Sequence, residues 1–372
     1  MRKIGTKIRS YACPSHAYDA IPAPGKTSHR RKGARMAEKN VRWGIVGAGR
    51  IAHRFARSLA HEPHSELVAI SCRSAGRAAA FAAEHGVPEG GTFSDDGLGG
   101  VAGAAHAALL ARPDVDAVYL ALPHGMHLTW AVAALRAGKA VLCEKPACAS
   151  AAEASEVISA ARETGSLFME AMKTRFTPLY RRVRQLVAVG AIGELLRVEA
   201  LLENDMGDRI ARGGDYMSDP VAGGILLDSG IYCASWIEDF LAGPLEVTSA
   251  SARWDHGVDC FVDAELSLGQ RTARLATAAD VAGPRTVRLI GTAGDIVVED
   301  MHRPQRAVLL AGGGGRRDID LPYPVDDFYD EVEHFTGLLL AGRAESDVMP
   351  LAATLRCAEL LDAVRDALTT LN

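Results

Sequence analysis

Three acid–base side chains in this sequence have types and spacings suited to proton transfer. Lys145 follows a short apolar run in Val141-Leu142-Cys143-Glu144-Lys145-Pro146. Asp228 and Tyr232 are four residues apart, which places them on one face of a helix. An amine, a carboxylate and a phenol that meet at one hydroxyl group could take its proton and bind its oxygen. We therefore predict Lys145, Asp228 and Tyr232 as catalytic residues. The structural alternative makes Asp228 a helix cap and Tyr232 a core aromatic.

The elements around Lys145 determine whether its ammonium group can reach a ligand. The apolar run before it predicts a buried parallel strand, and open α/β sheets bind ligands at the carboxyl ends of such strands. A surface lysine in a strand–helix turn is the alternative. As a proton acceptor Lys145 would need a pKa below the usual value of about 10.4, so we expect burial and nearby positive charge to lower it. The Lys145–Pro146 peptide is a candidate cis bond.

A glycine motif follows the first predicted strand. Residues 41–46 have the pattern of a short buried strand, and Gly47-Ala48-Gly49-Arg50-Ile51-Ala52 comes next, before a predicted helix. In this G-x-G-x-x-A arrangement the glycines allow a tight turn and close approach of a pyrophosphate to the helix N-terminus. We predict Gly47, Gly49, Arg50 and Ile51 as cofactor contacts. The alternative is a glycine-rich turn that binds nothing.

The end of the second predicted strand indicates which dinucleotide would bind. Sites for NAD place an acidic residue about 20 residues beyond the glycines, to accept a hydrogen bond from the ribose 2′-hydroxyl. Here the sequence is Ser71-Cys72-Arg73-Ser74. A guanidinium with neighbouring hydroxyl groups would bind a 2′-phosphate, which a carboxylate would repel. We therefore predict NADP over NAD, with Ser71, Arg73 and Ser74 as contacts. Alternatively, Arg73 only begins a solvated helix.

Three further residues lie where strands of this half end. Pro123 and His127 are at the start of a predicted helix, and Glu144 precedes Lys145. We predict Pro123, His127, Glu144 and Lys145 as cofactor contacts. Capping of backbone groups is the alternative role for His127.

The order of predicted elements indicates an α/β fold in two parts. Strands and helices alternate up to about residue 169, as in a doubly wound parallel sheet. From Glu194 onward, strand-like runs joined by short turns indicate an open, mainly antiparallel sheet. We predict a Rossmann domain at 41–165 and a second domain at 166–372, to which the family resemblance described below assigns substrate binding and oligomerisation. The Gly- and Ala-rich stretch 90–105 is predicted to be an inserted loop with a short helix.

Residues 1–40 differ from the remainder of the chain. They contain ten Lys or Arg against Asp19 and Glu38, a local charge of 10 − 2 = +8, and they lack hydrophobic periodicity. We predict that this extension is disordered and that Met36 is the biological start.

Composition excludes several functional classes. A chain of 372 residues can bury two cores, and its net charge of −5 provides no basic field for nucleic acid. No apolar run is long enough to span a membrane. Seven scattered cysteines without a C-x-x-C pair suit reduced thiols in a cytoplasmic protein. His124 and His127 lack further recognisable ligands, so we predict no metal. A small-molecule partner is expected.

Taken together, these motifs resemble those of the Gfo/Idh/MocA family of NAD(P)-dependent oxidoreductases. The resemblance runs from Val41 to the C-terminus through the glycine motif, Glu144-Lys145-Pro146, Arg175-Phe176-Thr177-Pro178, Ile192-Gly193 and the segment from Gly223-Gly224 to Tyr232. It implies a catalytic role for Lys145, a substrate site with Asp228 and the residue four beyond it, and an open sheet that forms a homo-oligomer. Many members have His where this chain has Tyr232. Its motif is most similar to the dimeric dihydrodiol dehydrogenase and glucose–fructose oxidoreductase branch, which generally uses NADP.

The resulting hypothesis is hydride transfer between the nicotinamide of NADP and a hydroxyl or carbonyl carbon of a sugar, cyclitol or diol. Lys145 would accept or donate the proton, and Arg175, Asp228 and Tyr232 would contact the substrate. Asp205, Arg209 and Tyr216, in the loop at 204–220, could also line the pocket or be ordinary surface residues. Two alternatives remain: a regulator that binds NAD(P) without catalysis, and an NAD-dependent glycoside-processing enzyme on the same fold.

Overall fold

The computed structural model describes residues 40–212 and 216–370, and residues 1–39 of the predicted extension, with Met36, lie outside this description. Six strands form the first sheet: β1 (Val41–Val46), β2 (Ser65–Cys72), β3 (Thr92–Ser94), β4 (Ala117–Leu120), β5 (Ala140–Glu144) and β6 (Phe168–Ala171). All pairs are parallel, in the order β3-β2-β1-β4-β5-β6. The helices between them are α1 (Arg50–Leu59), α2 (Ala75–His85), α3 (Ala104–Leu110), α4 (His127–Arg136) and α5 (Ala151–Thr164). This is the predicted doubly wound arrangement.

Local sequence signals account for helix ends in this half. Ser150 Oγ accepts a hydrogen bond from the Glu153 N–H at 3.3 Å, and Glu153 Oε2 accepts one from the Ala149 N–H at 2.9 Å. These two bonds form a capping box in which the glutamate accepts from the residue before the N-cap instead of from the N-cap itself. Helices α2 and α5 end where Gly86 and Gly165 adopt φ angles of 69° and 67°. Such left-handed values favour glycine, so these helix ends were predictable from sequence.

The Gly- and Ala-rich stretch 90–105 contains part of the sheet, so its prediction as an inserted loop was wrong. β3 pairs with β2 from Ile70 opposite Thr92, and the short helix expected in this stretch is the 3-10 turn Asp96–Leu98. Asp95 then accepts hydrogen bonds from the N–H groups of Gly103 and Ala105, at 3.1 and 2.9 Å. The stretch therefore adds an edge strand and caps α3.

The second sheet has eight strands: β7 (Leu195–Glu203), β8 (Glu246–Asp255), β9 (Val258–Leu268), β10 (Arg271–Ala278), β11 (Arg285–Gly291), β12 (Gly294–Val298), β13 (Arg306–Ala311) and β14 (Gly315–Asp320). Their order is β14-β13-β12-β11-β7-β10-β9-β8. β7 and β10 pair in parallel and the other neighbours are antiparallel. The helices of this half are α6 (Pro178–Ala188), α7 (Gly207–Arg212), α8 (Ile231–Leu241), α9 (Tyr329–Leu340) and α10 (Leu351–Thr370). The mainly antiparallel second sheet was also predicted. β6 keeps the chain in the first sheet as far as Ala171, and the domain division at 165/166 remains a prediction.

The second sheet has one covered face and one charged face. Alternate residues of β7 are buried on the side where α8 packs. On the other side Arg197 donates to Glu199 at 2.9 Å and to both carboxylate oxygens of Glu265 at 2.8 Å. Arg274 of β10 donates to Asp263 of β9 at 2.7 and 2.9 Å. This face is therefore lined with ion pairs within the chain.

The C-terminal helices return to the first sheet. Phe335 of α9 packs against Trp43 of β1, with ring centroids 5.1 Å apart, and Trp43 is fully buried. Asp327, just before α9, is 3% exposed and accepts hydrogen bonds from Arg54 of α1 and from Lys173. Hydrophobic packing and a buried ion cluster thus join the last part of the chain to the first.

Two further observations concern the state of the cysteines and the hydropathy of the helices. The six cysteines at described positions are all free and buried. In the part of the chain that the structure describes, no helix has both the length and the hydropathy needed to cross a membrane.

Candidate active site

Lys145 lies directly after β5, at the carboxyl edge of the first sheet. Its Nζ donates a hydrogen bond to the backbone carbonyl of Asp228 at 2.6 Å and another to Asp228 Oδ1 at 3.2 Å. The two side chains are only 13% and 12% exposed. The peptide bond that follows Lys145, Lys145–Pro146, is cis, as the sequence allowed. The structure therefore brings these two predicted catalytic residues together across the two halves of the chain.

A tight turn before α8 positions Asp228. Residues 226–230 form a single π-helical turn, and the Asp228 N–H donates to the Gly224 carbonyl at 3.3 Å. Gly224 has a φ of 85°, and a Cβ there would lie 2.1 Å from Asp259 Oδ1. The other oxygen of that carboxylate accepts from the Leu226 N–H at 2.6 Å. The turn thus requires glycine at 224, which explains part of the Gly-Gly segment.

Charge keeps Asp228 ionised in spite of its burial. Burial alone would raise the pKa of its carboxyl group. The nearby charges of Lys145 and, if protonated, His124, with hydrogen bonds from Tyr216 and Lys145, instead lower that pKa to about 2. The site therefore contains a carboxylate at neutral pH.

The expected fall in the Lys145 pKa is not found. Burial acts to lower the pKa of Lys145, but Asp228, Tyr232, Tyr216 and Glu144 together raise it above the ordinary lysine value. The prediction considered burial and positive neighbours, whereas the group in contact with Nζ is a carboxylate. Lys145 is consequently an ammonium group at neutral pH.

Tyr232 lies beside Lys145 and presents its ring to the amine. The Lys145 Nζ is 4.9 Å from the centroid of the Tyr232 ring, within the range of a cation–π contact. The side chain is 8% exposed and its ring also meets His302 edge to face at 5.8 Å. Burial raises the pKa of Tyr232 above its usual value, so the phenol keeps its proton.

Tyr216, which the sequence offered either as a pocket residue or as an ordinary surface residue, is the phenol that contacts Asp228. Its hydroxyl group donates to Asp228 Oδ1 at 2.9 Å, and its ring lies 4.8 Å from that of His124. Burial and Asp228 raise the pKa of Tyr216 to about 12. Burial, with His127 and Lys145 nearby, lowers the pKa of His124 to about 3. The loop at 204–220 gave no periodic signal that could have identified this contact.

Glu144 lies behind the lysine and is 8% exposed. Its Oε1 accepts from the Tyr119 hydroxyl group, and its Oε2 accepts from the Lys145 N–H at 3.1 Å. Burial raises the pKa of Glu144. These bonds hold the backbone from which the Lys145 side chain projects.

The glycine motif fits a dinucleotide pyrophosphate. Gly47 has a φ of 101°, and a Cβ there would lie 2.4 Å from the Ala121 carbonyl oxygen, whereas nothing lies within 4 Å of a Cβ at Gly49. Gly49 is the N-cap of α1 and offers no side chain to the first-turn N–H groups. These groups and the helix dipole are therefore available to a phosphate. Arg50 is exposed and Ile51 half-buried at this helix start.

The residues predicted to surround a 2′-phosphate are placed differently from one another. Arg73 is exposed at the end of β2, and Ser74 Oγ caps α2 by accepting from the Arg77 N–H at 3.5 Å. Ser71 is fully buried and its hydroxyl group bonds His106 Nδ1 at 2.9 Å, inside the core. Arg77 reaches the glycine loop, donating to the Ala48 carbonyl at 2.7 Å. Arg73 and Arg77 are thus the cations at this edge.

Of the remaining predicted cofactor contacts, Pro123 is exposed and His127 is buried. Pro123 is exposed beside the sheet edge. His127 is fully buried, with Nδ1 2.8 Å from the Pro146 carbonyl and Nε2 2.9 Å from the Leu122 carbonyl. Its ring therefore links two loops through their backbone, which was the stated alternative.

Arg175 lies inside the second half. Its guanidinium donates to Ser235 Oγ at 2.8 Å, to the Ser235 carbonyl at 2.8 Å and to Glu238 Oε2 at 2.6 Å. The side chain is 1% exposed. A guanidinium so enclosed and bonded to α8 supports the fold, and we do not retain it as a substrate contact.

Two surface cavities lie away from Lys145 and Asp228. One is lined by Leu59, Leu67 and His85 among others, and the second by Glu238, Pro244 and Arg356 among others. Neither includes Lys145 or Asp228, so the assignment of the candidate active site rests on the convergence of side chains.

Comparison with known proteins agrees with this geometry. A model of an oxidoreductase family with an NAD-binding Rossmann fold matches residues 41–172, and a GFO/IDH/MocA C-terminal domain matches residues 180–297. The trans-1,2-dihydrobenzene-1,2-diol dehydrogenase of Bos taurus is 32% identical over 344 residues, covering 88% of this chain and 97% of the relative. The human enzyme of the same name is 31% identical over 342 residues, with coverages of 88% and 97%.

Solved structures show the same architecture. A 3-ketoreductase from Actinomadura kijaniata, in complex with NADP and TDP-benzene, has a TM-score of 0.77 and 30% identity, covering 89% of this chain and 98% of that one. An aldose–aldose oxidoreductase from Caulobacter crescentus, complexed with glycerol, has a TM-score of 0.79 at 22% identity, with coverages of 90% and 99%, and shares the fold. The chain therefore belongs to the Gfo/Idh/MocA family and is an NAD(P)-dependent oxidoreductase of that family.

Proposed function

We propose that this protein is an NADP-dependent oxidoreductase that acts on a hydroxyl or carbonyl carbon of a sugar, cyclitol or diol, with Lys145 as the proton donor and acceptor. The observation that carries the proposal is the buried ammonium group of Lys145, held 3.2 Å from Asp228 Oδ1 at the carboxyl edge of the first sheet. Tyr216 and Tyr232 are beside it.

The charge state of the site favours reduction at neutral pH. When bound, the nicotinamide ring supplies or accepts the hydride. In the reductive direction Lys145 would donate its proton to the carbonyl oxygen and become a neutral amine. Its raised pKa keeps the required proton on Nζ. In the oxidative direction Lys145 must first lose that proton, so oxidation should accelerate as pH rises.

The two phenols would bind the reacting oxygen and orient the amine. Tyr232 and Tyr216 both have raised pKa values, so each remains a hydrogen-bond donor across the physiological range. Tyr216 donates to Asp228, which in turn holds Lys145. We assign Tyr232 to the substrate oxygen and Tyr216 to the positioning of Asp228.

The preference for NADP rests on the end of β2. Arg73 is exposed there, and Arg77 reaches the adjoining glycine loop. Asp95, a nearby acid, already accepts from two backbone N–H groups of the α3 cap. A 2′-phosphate would therefore meet guanidinium groups. The Actinomadura kijaniata ketoreductase was crystallised with NADP, in agreement with this preference.

The proposed substrate class follows from the polar groups and from the relatives. An ammonium group, a carboxylate and two phenols offer donors and acceptors for more than one hydroxyl group, as a polyol or diol requires. The names of the relatives include a trans-1,2-dihydrobenzene-1,2-diol dehydrogenase and a 3-ketoreductase.

A substrate screen with two lysine variants tests the proposal. Oxidation and reduction of the nicotinamide would be followed with NADP and NAD in parallel, against sugars, cyclitols, diols and the corresponding ketones. Lys145→Met should lower turnover by about 10²–10⁴-fold while cofactor binding is retained. Lys145→Arg retains the charge but cannot release a proton, so it should be similarly slow.

Unchanged turnover in Lys145→Met would eliminate the proposed proton transfer. Tight binding of NADP by the unmodified protein without turnover of any compound would instead favour the regulator that binds the cofactor without catalysis.

A further inference from the structure

Helices α1 and α2 bring three metal-ligating side chains together, apart from the Lys145 residues. His53 lies on α1, and Glu84 and His85 form the last turn of α2. His53 Nδ1 is 2.9 Å from His85 Nε2 and 3.1 Å from Glu84 Oε2. His85 Nε2 is 3.4 Å from Glu84 Oε1. One ligand atom from each of the three side chains thus lies within 4.8 Å of the other two.

We propose that His53, Glu84 and His85 bind a zinc ion, with water in the fourth position. Two imidazoles and one carboxylate are a ligand set that zinc accepts. With bonds of about 2.0–2.2 Å in a tetrahedron, neighbouring ligand atoms are about 3.3–3.6 Å apart. The two imidazole nitrogens are 2.9 Å apart, and the nearest Glu84 oxygens, Oε2 to His53 and Oε1 to His85, lie 3.1 and 3.4 Å from them. Binding an ion therefore requires the two imidazole nitrogens to separate by about 0.4 Å or more.

The surroundings hold the two imidazoles in place and leave a route for the ion. The ring of Phe81 lies 4.6 Å from that of His53 and 4.5 Å from that of His85. The His85 side chain is 6% exposed. Glu84 is 49% exposed and opens the cluster to solvent.

Arg57 has two opposing effects on this cluster. Its Nη1 lies 3.4 Å from Glu84 Oε1. That contact orients the carboxylate from outside, as hydrogen-bonded partners of metal ligands commonly do. The positive charge of Arg57 also opposes a cation, so Arg57→Gln should bind zinc more tightly.

The metal would have a structural role in the nucleotide-binding half. α1 begins at the glycine motif and α2 begins beside Arg73, so an ion shared by the two helices would fix their spacing. Because it would bind the folded chain and not the unfolded one, saturating zinc should raise the melting temperature.

The test uses the full-length chain without an affinity tag, stripped with EDTA and titrated with zinc chloride by calorimetry. One zinc per chain is expected in this cluster. Loss of a ligand should weaken binding by at least the roughly 10–100-fold that changes around metal ligands cost, in each of His53→Ala, Glu84→Gln and His85→Ala. His61→Ala removes an exposed histidine of the same half and should leave the affinity unchanged.

Cobalt provides a second measurement, because four-coordinate Co²⁺ absorbs strongly in the visible range and zinc should abolish this absorption. Thermal unfolding of each metal-free variant shows whether it folds, and Glu84→Gln changes only an exposed group. Absence of stoichiometric zinc binding would overturn the proposal and leave a hydrogen bond between the two imidazoles. Binding that survives all three substitutions would also overturn it, by placing the metal elsewhere.

Discussion

Replacing Asp228 by Asn should shift the pH dependence of oxidation to lower pH. Lys145 Nζ and Asp228 Oδ1 are 3.2 Å apart. Two unit charges at that separation interact by about 5 kcal/mol at an effective dielectric constant of about 20, which equals about four pKa units. Asn still accepts a hydrogen bond from Lys145, and Glu144 still favours the ammonium form, so we expect about half of this shift, roughly two units.

The assay is kcat/KM for oxidation of the best alcohol substrate, measured against pH at saturating cofactor. Only the neutral amine accepts a proton, so the rate of the unmodified enzyme should rise with pH until Lys145 is deprotonated. In Asp228→Asn the same rise should occur about two units lower. Reduction, which needs the ammonium form, should decline at correspondingly lower pH.

Tyr216→Phe is the matched control. It removes the hydrogen bond to Asp228 Oδ1 but leaves the carboxylate charge beside Lys145. Its profile should stay within about one unit of the unmodified enzyme. A profile for Asp228→Asn that does not move, or that moves to higher pH, would refute the conclusion that Asp228 sets the protonation of Lys145.

Three further predictions concern other parts of the molecule. Arg73→Ala should raise KM for NADP by about 10–100-fold, because a charge-assisted hydrogen bond is lost, and should leave KM for NAD constant. Equal changes in KM for both cofactors would contradict the proposed 2′-phosphate contact. Arg175→Met should lower the free energy of unfolding, measured by urea denaturation, by about 3–5 kcal/mol, because it leaves Glu238 partly unpaired in the interior. It should not change KM for the substrate, and a raised KM at unchanged stability would restore Arg175 as a substrate contact. If two chains form a dimer through the charged face of the second sheet, Glu265→Arg should yield monomers in light scattering. The control Glu163→Arg, at an exposed position of α5, should leave the dimer intact. A dimer that Glu265→Arg does not affect would place the interface elsewhere.

The elements that could be predicted were those whose cause is local. The turn at Gly47, the capping box at Ser150 and Glu153, and the helix end at Gly86 depend on neighbours a few residues away. β3 was missed because a three-residue edge strand shows no periodicity and lies in a stretch rich in Gly and Ala.

The candidate active site was predictable in part, for the same reason. The strand that carries Lys145 and the segment that carries Asp228 were recognisable, but their contact spans 83 residues of sequence. Whether the Lys145 pKa rises or falls depends on a balance between burial and the charge of Asp228, which residue order does not reveal. The burial of Arg175 against α8 is likewise a property of packing.

The contact between Trp43 and Phe335 has a consequence for how the protein matures during translation. The ring that closes the core beneath β1 belongs to a helix near the end of the chain. Ribosomes add roughly 5–20 residues per second, so the glycine motif would be complete many seconds before Phe335 leaves the exit tunnel. Throughout that interval the indole at position 43 has Phe55 beside it but lacks Phe335, and the nascent nucleotide-binding half should be a client for chaperones until synthesis is nearly finished.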